Sequence, residues 1–99
     1  MIKHIVMFAF KDEYPEAERP AKAAEIKEIT EALVGVVPGL QSTTVYVEPV
    51  GTSTHSFMLE AVLDDVDALN GYQIHPAHVA VGTVIKAVAH NRACFDREM

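Results

Sequence analysis

The sequence predicts an α+β fold, a ferredoxin-like sandwich of order β-α-β-β-α-β carrying one four-stranded antiparallel sheet. Three observations predict it. The segment Ile2 to Phe10 is rich in β-branched and aromatic residues and is apolar on both faces. The stretch Ala17 to Val37 places its apolar residues at helical spacing, and two segments of period-two alternation follow it. A proline then opens a further helical stretch ahead of a last apolar strand.

Taken in order, Ile2 to Phe10 reads as a strand with His4, Val6, Phe8 and Phe10 on one face and Ile5, Met7 and Ala9 on the other. A strand that is apolar on both sides belongs in the middle of a sheet. Asp12 to Pro15 make a polar connection to a helix over Ala17 to Val37. That helix shows Ala23, Ile26, Ile29, Leu33 and Val36 or Val37 on one face, with Glu18 and Lys22 paired at i, i+4 on the other. Gly35, Pro38 and Gly39 stop it. Ser42 to Val50 reads as a strand with Val45 and Val47 on one side, and Pro49 assigns it to an edge.

After a turn at Gly51 to Thr54, His55 to Leu63 is a strand whose core face is Phe57, Leu59, Ala61 and Leu63. Asp64 or Asp65 caps a short helix through Leu69 that Asn70-Gly71 ends. Pro76 begins a second short helix to about Ala87, and Val88 to Asp96 is the last strand. Residues 1–99 form one domain on this reading. Helices cover one face of such a sheet, so Ile5, Met7 and Ala9 need a second copy stacked on the other. The expected state is a homodimer.

Composition excludes several classes. Hydrophobic residues make up 49% and charged residues 22%, too apolar for a disordered chain. The net charge of −6, without a basic stripe, argues against a nucleic-acid partner. No apolar run is long enough for a bilayer span or a signal peptide, and the single cysteine, Cys94, excludes an internal disulfide. The expectation is a soluble cytoplasmic protein with no membrane partner, and with Cys94 packed in its strand.

The stretch YQIHPAHVAVG, Tyr72 to Gly82, concentrates chemistry. It reads as a catalytic group, a metal site or a histidine-rich helix start. Zinc would need ligands beyond His75 and His78, and neither His90 nor Cys94 stands at a recognised spacing, so no metal is expected. His75, before Pro76, caps the helix or lies exposed.

The opening MIKHIVMFAFKD, the VPGL after the first helix and YQIHPAHVAVG together resemble the stress-responsive A/B barrel domain family, over essentially the whole chain. The resemblance implies a dimeric α+β barrel. It also implies roles, because Tyr72 and His78 fall on the catalytic tyrosine and histidine of a plant polyketide cyclase of that family. His4 falls on that enzyme's strand-one active-site histidine. One departure accompanies them: Ile26, Lys27 and Thr30 stand where the cyclase has bulky aromatics lining its tunnel.

Physically, His78 lies in the first turn of a helix, whose field disfavours the imidazolium. A neutral base facing the Tyr72 hydroxyl suits proton abstraction beside a carbonyl, or an aldol or Claisen-type closure, with no cofactor. His4, Val6, Phe8 and Leu59 are the expected ligand-binding wall of an apolar pocket. Two functions follow: a small-molecule-binding homodimer acting as a cofactor-free lyase or cyclase on a small apolar carbonyl compound, or a non-enzymatic stress-associated structural homodimer.

Overall fold

Alternating burial on one strand sets the architecture. In the computed structural model, which describes residues 1–99, β1 (Ile2–Phe10) buries Ile2, His4, Val6, Phe8 and Phe10 and leaves the residues between them half-covered. This is the period-two signature of a central strand. A 3₁₀ turn at Glu16–Glu18 leads into α1 (Arg19–Glu31), followed by β2 (Leu40–Tyr46) and β3 (Phe57–Leu63). Helices α2 (Val66–Ile74) and α3 (Pro76–Val88) come next, and β4 (Ala89–Glu98) completes the sheet. The strand order is β2-β3-β1-β4 and every pairing is antiparallel, so β1 lies inside and β2 at an edge, as expected. No helix is long and apolar enough to cross a membrane.

The core lies between the sheet and the helices. Phe57, Leu59, Ala61 and Leu63 face it from β3, Ala23 and Ile26 from α1, and Val81, Ile85 and Val88 from α3. The larger of these, Val, Leu, Ile and Phe, each contribute roughly 1.5–3 kcal/mol when fully buried. At one end, Phe8 and Phe57 stack at 5.7 Å between centroids, and Phe10 stacks on Tyr14 at 5.6 Å.

The ends of several elements differ from the sequence expectation, most of all in α1, β2 and α2. Helix α1 ends at Glu31 rather than Val37. Gly35 adopts φ +89°, which a right-handed helix cannot pass through, and Val34 and Val36 become exposed while Leu33 and Val37 stay buried. Glu18 serves as the residue before the helix, and Lys22 pairs with Glu25 at 3.2 Å instead. Strand β2 begins at Leu40 and closes at Tyr46, leaving Val47 to Val50 outside the ladder. Helix α2 runs through Asn70-Gly71 to Ile74, because the stop is supplied by Pro76. A residue before proline is pushed out of the helical region, and His75 sits at φ −62°, ψ 131°.

Two contacts fix the frame. Gly39 has φ +80°, and a Cβ there would stand 2.6 Å from the Ala68 Cβ, so the turn before β2 packs directly on α2. The free edge of β2 is closed by α1: Val45 N–H donates to Glu31 Oε2 at 2.9 Å, and Lys27 Nζ donates to the Val45 carbonyl at 2.9 Å. The Lys27 hydrogen bond, then that from Val45, holds the Glu31 carboxyl below its ordinary value. Capping an edge in this way removes a template for unwanted strand pairing.

The sheet face away from the helices is different. Register places Ala93, Met7, Met58 and Tyr46 in one row across all four strands, and Phe95 beside Ile5 in the next. Phe95 is 65% exposed and Tyr46 51%. The face is apolar along this row, carries the Lys3–Glu60 ion pair beyond it, and has no helix of the chain packed on it.

Candidate functional site

The break between α2 and α3 builds the site. Pro76 cannot continue α2, and the Ala77 N–H, which would have bonded the Gln73 carbonyl in an unbroken helix, donates to His75 Nδ1 at 3.1 Å. His75 thus caps α3, as its position before Pro76 suggested. The Gln73 carbonyl accepts instead from His78 Nδ1–H at 3.3 Å. A carbonyl only accepts, so this bond places the proton of the neutral ring on Nδ1 and leaves Nε2 with its lone pair.

The same break turns Tyr72, on the buried face of α2, against His78, with ring centroids 4.2 Å apart. Tyr72 also meets His4 edge-on, at 5.9 Å and 76°. Below these rings lies a cavity of about 440 Å³. Its floor is His4, Val6 and Phe8 from β1 with Leu59 and Ala61 from β3, and its roof is Tyr72, His78, Val81, Gly82 and Ile85. The six residues singled out from the sequence, His4, Val6, Phe8, Leu59, Tyr72 and His78, therefore line one space.

The electrostatics of the pair are complementary. Burial pushes the Tyr72 hydroxyl up to about 12, so it stays protonated as a donor. Burial chiefly holds His78 below 6.5, and charge on His4, Arg92 and Lys86 adds in the same direction, against the Gln73 hydrogen bond. A protonated phenol and a neutral imidazole side by side can polarise a carbonyl and accept a proton from its neighbouring carbon.

His4 is buried, and its Nδ1 is hydrogen-bonded to the Asp96 carboxylate directly across from it on β4. That partner fixes the ring's orientation and satisfies a polar group that would otherwise be costly to bury. Cys94 completes the group, with Sγ 3.9 Å from His4 Nδ1 and 3.6 Å from Asp96 Oδ1. The expectation of a packed cysteine is overturned: Cys94 is exposed, because nothing covers β4 there. Its thiol is raised by burial of the sulfur and by the Asp96 charge, which disfavours a thiolate nucleophile. Donor atoms of His4, Cys94 and Asp96 lie within 4.8 Å of one another. His4 and Asp96 are joined directly by a hydrogen bond, and the Cys94 sulfur lies beside both.

The departure on the first helix lies elsewhere. Ile26 and Thr30 are fully buried in the core, Lys27 caps β2, and none of the three lines the cavity. Residues the sequence reading did not single out do line it, notably Gln73, Val81, Lys86 and Arg92. Helical spacing with His78 carried a signal for Val81 and for Ile85, which also lines the cavity; the placement of Arg92, and of Asp96 behind His4, depends on strand register, which no local pattern reveals.

Comparison with known proteins agrees with this architecture. A family model described as the stress responsive A/B barrel domain matches residues 2–99. The chain is 27% identical over 100 residues to olivetolic acid cyclase of Cannabis sativa, covering 96% of this chain and 93% of that one. Among solved structures, a dimeric protein of ferredoxin-like fold from Bacteroides fragilis is 31% identical, with a TM-score of 0.92 over 99% of this chain and 95% of that one. A dimeric ferredoxin-like protein from Thermobifida fusca has a TM-score of 0.81 at 23% identity, over 99% of this chain and 90% of that one.

The two shifts have testable signs. Between the lowered His78 value and 6.5, the unfolded chain binds a proton that the folded chain refuses, so stability falls as pH drops through that window. Between 10.0 and about 12 the folded chain keeps a Tyr72 proton that the unfolded chain loses, so stability falls as pH rises there. NMR titration should place the His78 midpoint below 6.5, and the difference in tyrosinate absorbance between wild type and Tyr72→Phe should show one tyrosine titrating near 12. A His78 midpoint at or above 6.5 would remove the neutral base.

Proposed function

The chain belongs to the stress-responsive A/B barrel domain family, and we propose that it acts as a homodimer binding a small apolar carbonyl compound, on which it performs cofactor-free acid–base chemistry. The observation that carries this reading is the contact between Tyr72 and His78, 4.2 Å between ring centroids, at the roof of the apolar cavity. The alternative of a purely structural homodimer calls for a filled core at this place; a hollow of about 440 Å³ favours a ligand.

In the proposed reaction, His78 Nε2 takes the proton from the carbon next to the carbonyl. The electron pair of the broken C–H bond moves into a new C=C bond, and the carbonyl pair moves onto oxygen. The Tyr72 hydroxyl donates a hydrogen bond to that enolate oxygen, and His4, oriented by Asp96, supplies the polar end of the floor. The enolate then either attacks a second carbonyl of the same molecule, closing a ring, or expels a leaving group from the adjacent carbon. His78 returns its proton to the alkoxide formed at the attacked carbonyl, or to the leaving group that departs with the electron pair of its broken bond. Similarity to olivetolic acid cyclase supports the ring-closing form, and Tyr72 and His78 are the acid–base pair on this reading.

Dimerisation is supported by the uncovered row Ala93, Met7, Met58 and Tyr46 with Phe95 beside it, and by the dimeric relative from Bacteroides fragilis. Stacking two such faces would build the barrel and bury both.

Two outcomes follow. General acid–base groups typically contribute about 10²–10⁴-fold. Deuterium exchange at the α-carbon of a methyl ketone such as 2-heptanone, followed by NMR in D₂O, should be accelerated by the wild type. Tyr72→Phe and His78→Ala should lose that acceleration while keeping the wild-type circular dichroism spectrum; equal rates in all three proteins would make the pair structural. For the assembly, sedimentation at micromolar concentration should give a dimer, and Met7→Lys should yield monomer by placing a charge in the stacked face. A compact wild-type monomer would refute the homodimer.

A further inference from the structure

The charge around the cavity opposes the charge of the chain. The protein carries 14 acidic residues against 8 lysines and arginines, for a net charge of −6. No acidic residue lines the cavity, although Asp96 stands behind His4, whereas two cations, Lys86 from α3 and Arg92 from β4, stand at its rim beside the apolar side chains of Val6, Leu59 and Val81. Neither belongs to any of the chain's five ion pairs. Their charge reaches the centre of the site, since both disfavour protonation of His78.

Arg92 is delivered there by a distortion of the backbone. The pairing of β1 with β4 shifts register between Met7 and Ala9, so that Asn91 is an extra residue opposite Phe8. Ala89 is buried beneath the helices and Arg92 lines the cavity on that same face. Positions separated by an odd number of residues share a face only across a bulge. Asn91 takes the left-handed conformation at φ 55°, a region asparagine tolerates better than most side chains. Its carbonyl accepts from His55 Nε2 at 3.1 Å, which pins the bulge from the β2–β3 loop. The bulge thus brings to the cavity a guanidinium that belongs to no ion pair within the chain, a group suited to paired hydrogen bonds with a carboxylate.

We propose that the ligand is a small keto acid, seated with its carboxylate at Arg92 and Lys86 and its apolar chain against Val6, Leu59 and Val81. This assignment rests on the reading of the cavity as a small-molecule site. A guanidinium meets a carboxylate through two parallel hydrogen bonds, and the ammonium of Lys86 adds a point charge. Neutralising both cations on binding would also relieve the field that disfavours the imidazolium of His78, which has to hold a proton during turnover.

Calorimetric titration with 4-oxo-octanoate and with its methyl ester tests the assignment, since the two differ in one charge. The acid should bind wild type about tenfold more tightly than the ester at low salt, and 0.5 M sodium chloride should narrow that gap. Arg92→Gln and Lys86→Gln should each weaken acid binding by about two- to fivefold and leave the ester unchanged. Arg92→Lys should recover only part of the loss, because an ammonium cannot make the paired bonds. Equal affinity for acid and ester in wild type would overturn the carboxylate subsite while leaving the cavity reading intact. Binding of neither compound would overturn both.

Discussion

Strand β1 stands between two neighbours with apolar side chains on both faces, and the pleat gives each residue to one face only. The inner set, His4, Val6, Phe8 and Phe10, is buried beneath the helices. The outer set, Ile5, Met7 and Ala9, remains half-covered within the chain. Two different covers are therefore required. One is intramolecular and includes the cavity; the other is the proposed second copy. A one-residue slip of β1 would exchange the sets, exposing His4 and the aromatics and driving Lys3 into the core, so register is fixed by both faces at once.

Within that frame, a single proline organises the chemistry. Pro76 ends α2, forces His75 into extended backbone and diverts the amide that would have bonded Gln73. The carbonyl so released sets the tautomer of His78, and the angle between α2 and α3 brings Tyr72 against it. On the floor, Asp96 does the same for His4 across a strand pair. Each ring is thus oriented through Nδ1, and burial holds Tyr72 and His78 in their neutral forms. Preorganisation of this kind places the cost of ordering the side chains in folding rather than in the binding of a ligand.

Much of this was legible in the sequence because it follows from local period. The limits of β1, the core faces of β1 and β3, an aspartate cap on α2 (Asp64 or Asp65 by sequence, Asp65 in the structure) and the start of α3 at Pro76 follow from alternation, helical spacing and capping chemistry. The cavity-lining positions of Tyr72 and His78 were legible through a family motif, and those of Val6, Phe8 and Leu59 through alternation on two adjacent strands. What escaped depended on partners distant in sequence. Gly71 looked like a helix stop, but tertiary packing of Leu69 and Tyr72 carried α2 past it. Lys27 stands where the family's plant cyclase has a tunnel aromatic, and the sequence did not show that its ammonium meets Val45 and Glu31 at the sheet edge. Asp96 and Arg92 reach the site only through the β1–β4 register and its bulge, and Cys94 is exposed because the helices leave β4 open.

The central claim is that the space under Tyr72 and His78 admits a small carbonyl molecule. Methyl-resolved NMR of the protein titrated with a neutral ketone such as 2-pentanone addresses it without assuming a reaction. Methyl resonances of Val6, Leu59, Val81 and Ile85, which line the cavity, should move together with one saturation curve. Those of Leu33, Val37 and Val45, in the core beyond it, should stay fixed. Shifts confined to Met7 and Met58 on the outer face, or no shift at the cavity methyls, would contradict the account.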